Sequence, residues 1–147
     1  MSKQTTSEIK LQDLEATKDL GRRIASGLKG GEVIELIGDL GSGKTSLVKG
    51  IVEGLGSKQE ATSPSFTICN EYTADRLTIY HFDFYRLSDP GIISRELGDV
   101  INHPDTIVIT EWAESVENIL PENRIIVTLK PTAEDGRVAK LVNPGKK

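Results

Sequence analysis

The segment Gly38-Asp39-Leu40-Gly41-Ser42-Gly43-Lys44-Thr45 fits the spacing G-x-x-x-x-G-K-[ST] without a mismatch. That arrangement suits nucleotide phosphates. Its glycines permit tight turns in which successive backbone N–H groups point at one anion, and a helix beginning at the lysine adds the partial positive charge of its N-terminus. Lys44 would reach the β- and γ-phosphates of ATP, and the Thr45 hydroxyl would sit on Mg²⁺. A glycine-rich strand-to-helix turn without a ligand is the alternative. Context weighs against it, because the β-prone run Val33-Ile34-Glu35-Leu36-Ile37 comes before the loop and Leu47, Ile51 and Leu55 follow it at helical spacing.

Phosphoryl chemistry also needs carboxylates for the metal and the attacking nucleophile. Two apolar runs end in one: Leu77 to Phe82 leads into Asp83, and Thr106 to Thr110 leads into Glu111. In an open α/β sheet the ligand crevice lies at the C-terminal ends of the parallel strands, so either residue could face the glycine loop. Either could equally be an exposed strand end. His81 shares a strand face with Asp83, since positions two apart point the same way, although a lone strand histidine is more often structural. Thr62-Ser63-Pro64-Ser65-Phe66-Thr67 carries hydroxyls on a proline-stiffened loop. Such a loop could sense the γ-phosphate, and an ordinary Ser-Pro turn has the same composition. Trp112, the only tryptophan, follows Glu111 directly and on its own reads as a core aromatic.

The elements that must position these residues follow from periodicity. Ile9 and Leu11 alternate with polar residues in a short strand, and Asp13 caps a helix whose Leu20, Ile24 and Leu28 run toward Gly30-Gly31. A strand over 33–37, the glycine loop and a second helix come next. Thr67 to Tyr72 and Leu77 to Phe82 form a hairpin joined by Thr73-Ala74-Asp75-Arg76, so the sheet is mixed. A short helix is expected around Ile92 to Gly98, and strands over Thr106 to Thr110, Arg124 to Leu129 and Arg137 to Val142. With 147 residues and no internal repeat or linker, the expectation is one α/β domain over residues 1–147. It is a P-loop NTPase-like mixed β-sheet with helices packed on it.

Composition narrows the partners. Eighteen Lys and Arg against 22 Asp and Glu leave a net charge of −4, and the basic residues are dispersed. Strong direct nucleic-acid binding is therefore not expected, and any contact with RNA would need a partner protein. Cys69 is the only cysteine, which rules out an intramolecular disulfide and fits a reducing compartment. Lys3, Glu8, Lys10, Asp13 and Glu15 break up the first twenty residues, and no apolar run approaches membrane-spanning length. A cytoplasmic protein without a membrane segment is expected.

Together these residues resemble the TsaE family, small bacterial P-loop ATPases that serve in making threonylcarbamoyladenosine in tRNA. The likeness rests on the loop at 38–45, Ser-Pro-Ser-Phe-Thr at 63–67, His-Phe-Asp-Phe-Tyr-Arg at 81–86, and Glu111-Trp112 after an apolar strand. It covers nearly the whole chain. The resemblance implies Mg²⁺ ligation by Thr45 and Glu111, a catalytic role for Asp83 near the metal and its waters, and a phosphate cradle over Asp39, Leu40, Gly41, Ser42, Gly43, Lys44, Thr45 and Ser46. It implies a switch at Ser63 to Thr67 and places Trp112 close to the nucleotide. Its adenine pocket would involve Leu14 or Thr17 and the Gly136-Arg137 turn. The implied partners are the two proteins of the threonylcarbamoyl-transfer complex, of the TsaB and TsaD type, which this ATPase would reset between turnovers. Ser46 replaces a second threonine common in the family, and Thr110 stands where an aliphatic residue usually precedes the glutamate; neither removes a proposed ligand.

Three other readings compete. A small-molecule kinase would need an acceptor pocket and a basic lid, and between residues 86 and 124 only Arg86, Arg95 and Arg124 are arginines. A GTPase would need Asp-x-x-Gly and Asn-Lys-x-Asp motifs, which are absent. A nucleotide-dependent interaction module that hydrolyses ATP only to release a complex overlaps with the family reading.

Overall fold

The computed structural model describes residues 5–39, 42–59, 69–85, 91–101, 103–132 and 136–143, with the backbone alone at 92 and 93. Strands β1 (Thr5–Leu11), β2 (Val33–Ile37), β3 (Cys69–Ala74), β4 (Leu77–Asp83), β5 (Thr106–Glu111), β6 (Ile125–Pro131) and β7 (Arg137–Asn143) alternate with helices α1 (Leu14–Ser26), α2 (Lys44–Gly54) and α3 (Gly91–Val100). The strands form one seven-stranded sheet in the order β1-β7-β6-β2-β5-β4-β3. Its four middle strands, β6, β2, β5 and β4, are parallel, and antiparallel partners close both edges. The expected mixed sheet is borne out.

Strand β2 lies at the centre, which explains its unbroken run of β-prone residues. Ile34 and Leu36 pack with Leu20, Leu47 and Ile51 on the face covered by α1 and α2. Val33 packs with Phe82, Leu97 and Val116 on the other face, covered by α3 and the short 3₁₀ helix Ala113–Val116. A strand buried on both sides cannot alternate apolar with polar residues. Helices α1 and α2 approach closely because their contact is made of glycine: a Cβ on Gly21 would lie 2.8 Å from the Ile51 nitrogen and 2.9 Å from Gly50 Cα. The Asp13 carboxylate accepts from the Ala16 N–H at 2.8 Å, the N-cap expected from the sequence.

The boundaries differ from expectation in physically instructive places. β1 is longer than the Ile9–Leu11 signal, since Thr5 to Glu8 is an exposed edge segment paired through its backbone to β7. Helix α1 ends at Ser26, capped by Gly27, so Leu28 lies outside it. The hairpin turn is Asp75-Arg76 alone, because Ala74 is buried and pairs with Leu77. Asp75 meets the tight turn with a left-handed φ of 54°. Arg124 lies outside β6, its side chain committed to Glu35. Among the described residues no helix is long and apolar enough to cross a membrane.

Candidate functional site

Two registers bring the candidate carboxylates together. In the parallel pair β4 and β5, Asp83 sits opposite Glu111, and in the pair β2 and β5, Leu36 sits opposite Glu111. All three strands therefore end at one level, with Gly38 beginning the turn into α2. Strand parity fixes the face: Ile79 and Ile107, Ile109 belong to the core under α1 and α2, so His81, Asp83 and Glu111 project to the α2 side. The Phe84 N–H donates to the Glu111 carbonyl at 3.0 Å, extending the pairing past the carboxylates.

Lys44 is the first residue of α2 and, at 6% exposure, is almost fully buried. Its Nζ donates to the Gly38 carbonyl at 2.5 Å, lies 3.8 Å from Glu111 Oε1 and stands 4.0 Å from the centre of the Trp112 ring. Burial lowers its pKa from the ordinary lysine value, and the negative charges of Glu111, Asp83 and Asp39 work the other way. The ammonium thus has acidic groups and an aromatic face around it. Trp112 takes a left-handed backbone, φ 55°, rare for a bulky residue, as it turns from β5 into the 3₁₀ helix. Its ring meets Tyr85 at 4.9 Å between centroids. Asp83 Oδ1 accepts from the Tyr85 N–H at 2.9 Å, yet burial still raises the Asp83 pKa, with the Glu111 charge adding to the rise.

The described ends of the turn, up to Asp39 and from Ser42, are tightly wound. Ser42 N–H donates to the Asp39 carbonyl at 3.1 Å, and Gly43 has a φ of 104° that only glycine adopts readily. A Cβ on Gly38 would lie 2.5 Å from Ser42 Oγ and 2.9 Å from the Leu129 carbonyl, so that position has no room for a side chain. Ser42 Oγ is buried and, among the described residues, has no hydrogen-bond partner. Thr45 is exposed in the first turn of α2, with Ser46 beside it half-buried. Leu40 and Gly41, in the middle of the loop, lie outside the described residues, as do the Ser63 to Thr67 loop and Arg86.

The two chain segments assigned to an adenine pocket do converge here. A Cβ on Gly43 would come within 3.0 Å of Arg137 Nε and 3.5 Å of Thr17 Cγ2. Gly136 lies against the turn before α1, where its Cβ would meet the Leu11 carbonyl at 3.0 Å. Leu14 is half exposed at 50% in the first turn of the same helix, whereas Thr17 is fully buried and donates its hydroxyl to the Asp13 carbonyl at 3.2 Å. Leu14 thus offers an apolar surface, and Thr17 packs below it.

Thr45, Asp83 and Glu111 offer only oxygen donors, the donor set of a hard cation such as Mg²⁺. Among the described residues no three His, Cys, Asp or Glu side chains form a metal-holding cluster. Two carboxylates are within the one or two that Mg²⁺ uses when phosphate oxygens and waters complete its shell. A cleft of about 370 Å³ lined by Gly38, Asp39, Lys44, Trp112 and Glu114 opens beside the loop. A larger one, about 760 Å³, lies at the other ends of the strands, between Ile24, Gly31 and Asn143, and holds none of the candidate residues. Volume alone favours that end, whereas charged and polar side chains converge at the glycine loop.

Sequence reasoning left two features unseen. One is the contact of His81 Nε2 with Glu111 Oε2 at 2.5 Å, whose only sequence signal is the shared parity of His81 and Asp83. The other is the Gly38 carbonyl as a resting partner for Lys44, which side-chain patterns do not encode.

Fold and site together define a protein with a P-loop NTPase-like sheet, its glycine turn joined to a helix at the central strand and two carboxylates at neighbouring strand ends. The family model described as threonylcarbamoyl adenosine biosynthesis protein TsaE matches residues 11–139. The chain belongs to the TsaE family. It is 40% identical over 124 residues to the tRNA threonylcarbamoyladenosine biosynthesis protein TsaE of Bacillus subtilis, covering 84% of this chain and 77% of the relative. The protein of the same description from Nostoc is 39% identical over 138 residues, covering 92% and 85%. The crystal structure of Bacillus subtilis YdiB superposes with a TM-score of 0.74 at 34% identity, covering 99% of this chain and 88% of that one.

Proposed function

We propose that this protein binds ATP with Mg²⁺ and hydrolyses it slowly, as a nucleotide-driven switch required for threonylcarbamoyladenosine modification of tRNA. The observation that carries the reading is the meeting of Lys44, Asp83 and Glu111 at the ends of β2, β4 and β5, where Lys44 Nζ stands 3.8 Å from Glu111. In this reading Lys44 exchanges the Gly38 carbonyl for phosphate oxygens, and the backbone of 39–46 cradles them. Ser42 Oγ, without a partner among the described residues, finds one there. Thr45, Glu111 and Asp83 would hold Mg²⁺, which would supply positive charge against the charge developing on the phosphates. Asp83 orients the attacking water. Leu14, Thr17 and the Gly136-Arg137 turn flank the base, and Trp112 stands beside the phosphates.

The family descriptions support the pathway, tRNA threonylcarbamoyladenosine biosynthesis; within it, on our reading, the protein works in the cytoplasm with the TsaB and TsaD type proteins that transfer the threonylcarbamoyl group. A net charge of −4 makes the route to tRNA an indirect one, through those partners. Steady-state ATP hydrolysis by the wild type and Lys44→Ala, alone, with the two partner proteins, and with bare tRNA, tests both parts. Expected are slow turnover alone, a rise with partners, weak salt-sensitive tRNA binding, and a drop on the order of 10²-fold in Lys44→Ala with its melting temperature retained. Undiminished hydrolysis by folded Lys44→Ala would sink the nucleotide site, and fast turnover indifferent to partners would sink the switch.

A further inference from the structure

His81 is wholly buried on β4. Its Nε2 lies 2.5 Å from Glu111 Oε2, while Nδ1 has no hydrogen-bond partner among the described residues. An ionised carboxylate only accepts, so with Glu111 in that form Nε2 is the donor in this contact. Core packing does not account for the residue: its neighbours on the same face, Ile79 and Ile109, are apolar and fully buried, and a leucine would fill the place without stranding a ring nitrogen. Among the described residues the imidazole has one polar partner, the far oxygen of Glu111. The near oxygen, Oε1, is the one that stands toward Lys44.

We propose that His81 is a positioning residue that fixes the rotation of the Glu111 carboxylate, so that Oε1 alone is presented to the metal and phosphates. This rests on the Mg²⁺–ATP reading given above. The terminal torsion of a glutamate is soft, and a carboxylate 3.8 Å from a buried ammonium can turn either oxygen toward it. Occupying Oε2 removes that freedom. It also keeps Glu111 from gripping the cation with both oxygens, leaving coordination places for phosphate and water, as Mg²⁺ requires. The same register that puts His81 opposite Ile109 puts Asp83 opposite Glu111, so one strand supplies both the facing carboxylate and the brace.

The test compares His81→Gln, His81→Asn and His81→Leu. A glutamine amide nitrogen reaches about as far as Nε2 and can donate; an asparagine donor falls short; leucine has none. ADP binding is measured calorimetrically in EDTA and across a Mg²⁺ series, with melting temperature as the check on folding and ATP turnover alongside. In His81→Leu and His81→Asn the Mg²⁺ concentration giving half the gain in ADP affinity should rise about 10-fold or more, while His81→Gln stays within about threefold of wild type. Affinity in EDTA should be the same in all four proteins. A folded His81→Leu with the wild-type Mg²⁺ dependence overturns the proposal. If the leucine variant does not fold, equal Mg²⁺ dependence in the asparagine and glutamine variants overturns it instead. Absence of any Mg²⁺-linked gain in the wild type would overturn the nucleotide reading itself, and this proposal with it.

Discussion

Two buried charge clusters flank the central strands, one on each face, and they are built to different standards. On the α3 face Glu35, 5% exposed, receives the Arg124 guanidinium at 2.7 Å, and Arg124 also donates to the Pro121 carbonyl at 3.0 Å and to Glu117 at 3.2 Å. Those contacts employ all three nitrogens of Arg124. On the α2 face the Lys44 to Glu111 contact is long at 3.8 Å, His81 Nδ1 and Ser42 Oγ are buried without partners among the described residues, and the Asp83 pKa is pushed up by burial. A closed network is what structure asks for; an open one of high local charge is what a ligand completes.

Glu35 and Glu117 also line the cleft beside the loop, but their pairing with Arg124 is complete, so breaking this closed cluster should cost stability first. Arg124→Met leaves the Glu35 carboxylate buried and unpaired, with an expected loss of about 3 kcal/mol and about 10 °C in melting temperature. The contact of Arg124 with exposed Glu117 contributes little to that figure. Replacing both partners, Glu35→Leu with Arg124→Met, should restore most of the loss, because no uncompensated charge then remains. Denaturant melts and ADP affinity below the transition decide it: a folded Arg124→Met that has lost ADP binding would make this cluster part of the site and erase the contrast.

The open cluster should behave in the opposite sense. Burial holds the folded-state pKa of Asp83 above its unfolded value, so the folded protein binds this proton more tightly than the unfolded chain does. Its contribution to stability consequently declines as pH rises above about 4, and at neutral pH the ionised carboxylate is a burden. Asp83→Asn keeps an oxygen for the Tyr85 N–H and drops the charge. The nucleotide-free variant should melt about 2 °C higher at pH 7, by an amount that shrinks toward pH 4, while ATP turnover falls on the order of 10²-fold. Calorimetric melts at several pH values, beside hydrolysis rates, would show whether stability and activity trade in this way. A variant that lost both would place Asp83 with the structural residues.

The sequence was most legible where chemistry and periodicity coincide. The loop from Gly38 to Thr45 could be placed because a β-prone run and a helical one bracket it, and Asp83 and Glu111 could be picked out because each ends an apolar strand. What could not be read was register. Whether β4 lies beside β5, and whether Asp83 faces Glu111 or slips by one residue to the other face, depends on pairings between segments far apart in the chain, which local patterns do not specify. His81 was ambiguous for that reason alone. Arg124 looked like the start of a strand because its partner, Glu35, lies 89 residues away. The Leu14, Thr17 and Arg137 grouping was legible only through family likeness, since its parts come from opposite ends of the chain.

The smallest expected effect concerns Thr110, the residue just before Glu111 and the one that departs from the aliphatic family pattern. Its side chain points away from Glu111, on the face that carries Val108 and is covered by α3, and its exposure is 0%. Across the sheet it pairs with Glu35 on β2 and Phe82 on β4. The hydroxyl Oγ1 is buried with no hydrogen-bond partner among the described residues, which offer nothing in exchange for the water it loses. Thr110→Val keeps the branched shape that fits the strand and removes the stranded hydroxyl. The expected gain is about 1 kcal/mol, seen as a melting temperature about 3 °C higher. Since the two faces are separated by the sheet, Mg²⁺-dependent ADP affinity and ATP turnover should match the wild type. If Thr110→Val instead weakened Mg²⁺-dependent binding, the backbone beneath Glu111 would be coupling the faces, and the division between a closed structural cluster and an open functional one would no longer hold at β5.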